Sequence, residues 1–281
     1  MNRITKVGKV TIYNNEYLKK EERNLSEFYK YLNDRNFNNY IELRKYEDNK
    51  SIYEYKEDIS INNNQKSIDL IETVSNLHNK TSYFKEVPLE TKTKIYNDTR
   101  GYIKYLKDLY NERLINLEEK NNISPSELIF MEHFSKLNNC LSFCDKSIKD
   151  WYTKTKSETV ERVSIIHNKL ELSHLIRNTT NYLISWDNST IDTPIKDLIK
   201  YYKKEWNNIN FKETFDTYFK ETNITDTEKL LLFTYIAIPF ELKISNDELE
   251  NIEKTKEFFN YIYKTEELIR PYYSVQTEEK Q

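Results

Sequence analysis

The chain has 281 residues, 37% hydrophobic and 14% aromatic with 23 tyrosines, enough apolar material for a sizeable core built largely from amphipathic rings. Lys and Arg number 43 against 46 Asp and Glu, and a net charge of −3 gives no bias toward nucleic acid or an anionic membrane. With only two glycines, Gly8 and Gly101, the chain cannot build a G-x-G-x-x-G or Walker phosphate loop.

Lys9-Val10-Thr11-Ile12-Tyr13 alternates as a strand, Asn14-Asn15 reads as a turn, and Tyr17-Leu18-Lys19 as a short return strand. Asn24 or Ser26 starts a helix through Phe28, Tyr31 and Leu32. Residues 40–46 and 51–55 flank Glu47-Asp48-Asn49-Lys50 as a hairpin. The polar stretch 60–65 then separates these elements from a helix over residues 67–79, which carries Ile68, Ile71, Val74 and Leu77 and ends at His78.

Two long helices follow. The first, over residues 89–119, repeats Ile95, Thr99, Tyr102, Ile103, Leu106, Tyr110, Leu114 and Leu117 at helical spacing. The second opens on Ser124-Pro125-Ser126-Glu127, a serine cap with glutamate reaching back. Its seam of Phe130, Phe134, Leu137, Leu141, Cys144, Ile148 and Trp151 predicts an antiparallel helical hairpin, with His133 off the seam and exposed. Cys140 and Cys144 lie one turn apart and read as buried thiols, since a lone pair of cysteines is a weak metal signal. Beyond residue 198 the pattern is helical again, and the last helix, capped by residues 245–248, is expected to stop at Pro271, with a polar frayed tail from Val275.

The chemistry concentrates in residues 163–198. An apolar β-type run (Val163, Ile165, Ile166) leads into a loop holding His167 and His174. A second strand, Tyr182-Leu183-Ile184, ends in Trp186-Asp187, and Thr193-Pro194 starts a helix, with proline in a first turn where its missing N–H costs nothing. Strand, polar loop, strand and helix start present side chains at the mouth of a cleft.

This stretch resembles the catalytic segment of the aminoglycoside-phosphotransferase and choline-kinase branch of the protein-kinase-like fold, nearest the spore-coat kinase-like proteins. That family reads His-Gly-Asp-Leu-x-x-x-Asn-Ile-Leu, then a strand ending Ile-Asp-Trp-Glu/Asp, then Pro and Asp-Leu. The same frame here is His167-Asn168-Lys169-Leu170, His174-Leu175-Ile176, Ile184-Ser185-Trp186-Asp187, and Pro194 with Asp197-Leu198. The resemblance implies an α+β, bilobal protein-kinase-like fold, with a reduced β-rich N-lobe over residues 1–60 and a mainly helical C-lobe over 61–281. It gives His167 a packing role under the loop and makes Asp197 the cap of the loop backbone; His78 becomes a structural helix-end residue. Lys19 or Lys20 would match the strand lysine of kinases and Glu27 its helix partner, although both also read as solvated charges.

At the chemical positions the residues differ. Phosphoryl transfer uses an Asp beside the nucleophile, and an Asn plus a second Asp to hold Mg²⁺. Lys169 stands where the catalytic Asp belongs, His174 where the Asn belongs and Ser185 where the metal Asp belongs. A cation repels Mg²⁺, and an imidazole is a poor ligand for a hard ion. No catalytic residue, metal ligand or cofactor is therefore expected. The reading is a pseudokinase that binds a partner protein or small molecule, in envelope or spore-related biology.

The alternative is a divergent small-molecule phosphotransferase with a rearranged site, in which Asp187 and Glu171 or Asp192 hold Mg²⁺ with ATP. A non-catalytic nucleotide sensor, binding ATP without metal, is a third reading. No run approaches the roughly 18 apolar residues of a membrane span, so a cytoplasmic, reduced location is expected.

Overall fold

The computed structural model describes residues 4–278. The chain groups into two compact units, each made of two segments. One joins the N-terminal region up to Lys85 with Arg162–Asn223, and the other joins Glu86–Glu161 with the chain from Ile224 on. The division does not follow a boundary after residue 60: residues 61–85 and 162–223 group with the N-terminal strands.

Strands β1 (Ile4–Val7), β2 (Val10–Tyr13) and β3 (Tyr17–Glu21) precede helix α1 (Ser26–Asp34), and strands β4 (Leu43–Glu47) and β5 (Lys50–Glu54) follow it. They form an antiparallel sheet in the order β1-β2-β3-β5-β4. Its turns use residues that tolerate a left-handed backbone: Asn14 and Asn15 at φ 54° and 57°, Asp48 and Asn49 at 50° and 59°. The two-residue turn between β1 and β2 uses Gly8 at φ 56°. Strand β1 was not anticipated.

Helix α2 (Asn63–Thr81) begins inside the stretch expected to be a linker, because Asn62 caps it by accepting from the Gln65 N–H at 2.9 Å. Strand β6 (Tyr83–Glu86) comes next, then the long helices α3 (Leu89–Glu118) and α4 (Pro125–Thr155). These two run antiparallel as the spacing predicts, with Tyr96 stacked on Tyr152 at 4.5 Å and Arg100 3.1 Å from Asp145. The capping box of Ser124 and Glu127 is formed, and six of the seven seam residues are buried, Phe134 being only half-buried. Lys92, in the first turn of α3, is also buried; its ammonium donates to the carbonyls of Thr155 and Glu158 at 3.0 and 2.7 Å, where α4 ends.

Strand β7 (Val160–Ile166) leads through a loop to β8 (Leu175–Arg177), β9 (Asn181–Leu183) and β10 (Thr190–Asp192). β7 lies between β10 and β6 in a three-stranded sheet, while β8 and β9 pair as a two-stranded ribbon. Helices α5 (Ile195–Glu205) and α6 (Phe211–Glu221) complete this unit, with Leu70, Val74, Leu77, Leu198, Tyr201, Phe215 and Tyr218 in its core. The tyrosine hydroxyls are satisfied inside: Tyr201 donates to Ser67 at 2.9 Å.

Helices α7 (Asp226–Ala237) and α8 (Glu248–Glu278) belong with α3 and α4. Helix α8 passes through Pro271 instead of stopping there, at the loss of one i→i−4 bond. The expected fraying from Val275 falls in this helix as far as 278 and otherwise outside the described residues. His133 is half-buried, not exposed, against Phe259 and 3.0 Å from the Tyr263 hydroxyl. Cys144 is buried and Cys140 half-buried, both free thiols. Among the described residues, no helix is long and apolar enough to cross a membrane.

Candidate functional site

The loop between β7 and β8 is held from beneath by one carboxylate. Asp197, fully buried in the first turn of α5, accepts from the His167 N–H at 2.7 Å and the Asn168 N–H at 2.6 Å. Its Oδ2 also lies 3.2 Å from His78 Nε2, whose other ring nitrogen accepts from the Tyr218 hydroxyl at 2.8 Å. His78 is thus a buried strut from the end of α2 to the loop anchor. Asn168 turns the chain through a left-handed backbone, φ 66°.

His167 is buried under the loop. Its Nε2 donates to the Ile184 carbonyl at 2.7 Å, and its ring packs 5.3 Å from both His174 and Trp186. Burial pushes its imidazole below the usual histidine range, against the pull of Asp197. His174 donates from Nδ1 to the Lys169 carbonyl at 2.7 Å, with Nε2 3.3 Å from Glu171, and burial holds it low as well. Both rings therefore tie loop backbone together.

Lys169 points outward, its side chain 59% exposed and 3.5 Å from Glu171. Ser185 adopts a left-handed backbone, φ 67° and ψ 52°, immediately before the turn that buries Trp186. The three carboxylates of a rearranged metal site go to separate partners. Asp187 pairs with Lys20 at 2.5 Å, Glu171 faces Lys169 and His174, and Asp192 pairs with Lys196 at 2.5 Å. Among the described residues, no group of three or more His, Cys, Asp or Glu is arranged to hold a metal ion. The donors present do not fit Mg²⁺, which wants converging oxygens.

A slot of about 270 Å³ opens beside this loop within the same unit. Val10, Ile12 and Leu18 of the sheet line it, together with Ile41, Ile176 and Ile184. Ser185 and Lys20 also line it. Lys20 is the strand lysine that reaches the site, whereas Lys19, on the opposite face of β3, lies 3.9 Å from Glu47. Its partners are Glu22 at 2.7 Å and Asp187; Glu27 is exposed on α1 and takes no part.

Glu22, with only 1% of its side chain exposed, accepts from the Tyr53 hydroxyl, to which Tyr29 donates in turn at 3.1 Å. Burial drives both phenols far above the usual tyrosine range, so they stay donors. Burial also pushes the Asp187 carboxyl up, but the bond and charge of Lys20 outweigh it and hold the group below its ordinary value. Sequence reasoning missed Glu22, Tyr29 and Tyr53, because a glutamate beside other charges carries no sign of burial.

No protein-family model matches the sequence, and no curated protein does. Among solved structures the chain is similar to an aminoglycoside phosphotransferase from Alicyclobacillus acidocaldarius subsp. acidocaldarius DSM 446, with a TM-score of 0.66 at 9% identity, the match covering 96% of this chain and 92% of that one. Weaker likenesses are to the AMP-bound spectinomycin phosphotransferase APH(9)-Ia (TM-score 0.49, 13% identity, 91% and 89% covered) and to choline kinase LicA from Streptococcus pneumoniae (0.39, 15%, 95% and 82%). The chain thus has the fold of an aminoglycoside phosphotransferase, an α+β member of the kinase-like architecture, as the residues around His167 indicated.

Proposed function

We propose that this kinase-fold protein does not transfer phosphate and acts by binding a partner protein or a small ligand, in envelope or spore-related biology. One observation carries the reading. The loop keeps its scaffold, Asp197 on the His167 and Asn168 N–H groups, while Lys169 stands where a base must stand. An ammonium cannot accept a proton from a substrate hydroxyl, and with the base and both metal ligands replaced the rate should fall by many orders of magnitude. The rearranged alternative needs Asp187 and Glu171 or Asp192 to converge, and each already has a cationic partner.

The slot beside Lys20 supports a narrower reading of the ligand: a flat ring system, such as a nucleotide bound without metal. Apolar walls suit a ring face, and Lys56 on the rim, with Lys20 already paired to Glu22 and Asp187, suits an anionic substituent. The test incubates the purified chain with Mg·ATP and aminoglycosides or choline, and measures thermal shifts with ATP in the presence and absence of Mg²⁺. No phosphorylated product and a metal-independent response are expected. Turnover abolished by changing Lys169 or His174, together with a metal-dependent shift of several degrees, overturns the proposal.

A further inference from the structure

A pocket of about 510 Å³ lies wholly within the helical unit, among α4, α7 and α8, in the size range of small-molecule sites. Its chemistry is graded along the helix axes. Helices α4 and α8 run side by side in the same direction: His133 meets Tyr263, Lys136 meets Glu266 and Phe143 meets Tyr273. Charged groups therefore gather at one end, where Arg270 reaches back one turn to Glu266 at 2.8 Å. The edge-on ring pair of Phe143 and Tyr273, 5.3 Å apart, closes the other. Seven residues of α4 separate the two ends, about 10 Å at 1.5 Å per residue.

Between them the wall is Cys140, whose thiol donates to the Ala237 carbonyl at 3.2 Å, and Ile269. The ammonium of Lys136 shares Glu266 with Arg270, and burial together with the charge of Arg270 lowers its proton affinity. An anionic head is the group that this end receives best.

We infer that the pocket binds a small amphipathic anion, its carboxylate head beside Lys136 and Arg270, whose two positive charges exceed the one negative charge of Glu266. Its apolar body, an aromatic ring or a chain of roughly eight carbons, lies against Phe143 and Tyr273. The site is separate from the slot beside Lys20, and its test does not depend on the proposed function.

Cys140 is a built-in reporter, because Cys144 is buried and Cys140 lines the pocket. The full chain is alkylated with iodoacetamide in the presence of octanoate, octanol or octylamine, each below its aggregation concentration, and modification of Cys140 is followed by mass spectrometry. Octanoate near four times its Kd should slow alkylation roughly fivefold, octanol less and octylamine not at all. Arg270→Gln and Lys136→Gln should each raise the Kd of octanoate roughly tenfold, cutting protection at the same concentration to about 1.4-fold, and leave octanol unchanged. Ala237→Phe should abolish protection by filling the pocket; should that variant not fold, the two rim variants decide alone. No protection by octanoate, equal protection by octylamine, or protection that survives both rim variants overturns the inference.

Discussion

Lys20 and Asp187, 167 residues apart in the chain, are joined by a 2.5 Å contact between ammonium and carboxylate. The lysine comes from the sheet and the aspartate from the turn after β9, so one ion pair ties the strands to the loop. Lys20 also neutralises Glu22, which is almost wholly buried beneath Tyr53. Lys20→Met should leave that carboxylate without a cation and lower stability by about 2 kcal/mol in urea unfolding, while Lys19→Met, on the opposite face and 3.9 Å from Glu47, changes little. Equal effects at the two positions would contradict the assignment.

Asp197 should be the most costly single carboxylate in the loop. Asp197→Ala removes the acceptor of two backbone N–H groups and of His78 at once, all in buried surroundings, and about 3 kcal/mol is expected to go. Asp197→Asn keeps one acceptor and should recover part of the loss. Hydrogen exchange at the His167 and Asn168 amides is the direct check, since both should become fast in the alanine variant.

Stability should fall in mild acid. Burial depresses both His167 and His174 in the folded protein, so the unfolded chain binds protons more readily below the ordinary value of 6.5. The stabilisation is complete above that pH and is lost as pH drops below it, by up to about 1.4 kcal/mol per pH unit for each histidine. Urea midpoints measured from pH 7.5 to 5 should show this slope, and His167→Gln should reduce it.

Lys92 offers a test in the helical unit. Its ammonium closes the C-terminal end of α4 by donating to two carbonyls, and almost none of the side chain meets solvent. Lys92→Met keeps most of the packing volume but leaves those carbonyls unpaired, and should cost about 2 kcal/mol with early fraying of residues 150–155. An unchanged melting curve would show that water replaces the lysine without loss.

Local signals in the chain were strong wherever a short motif decides the backbone. The Asn14-Asn15 and Asp48-Asn49 turns, the Ser124 capping box and the α4 seam all come from side chains acting within a few residues. The frame around His167 was readable for the same reason. Strands β1, β6 and β10 were not, because each is three or four residues long and owes its existence to a distant partner strand. Glu22 was hidden likewise: only the folded sheet shows that Tyr53 and Lys20 close over it. Pro271 misled because tertiary packing holds a helix together across one missing bond.

Each compact unit is assembled from two stretches of chain, so the polypeptide passes between them three times, near residues 85, 161 and 223. On the ribosome the strands emerge first, yet their unit lacks Asp197, Trp186 and the loop until well over half the chain has been made. The helical hairpin must likewise wait for α7 and α8. Such interleaving puts the closing steps of both halves late in synthesis, when nearly the whole polypeptide is at hand, and makes early intermediates natural clients for chaperones.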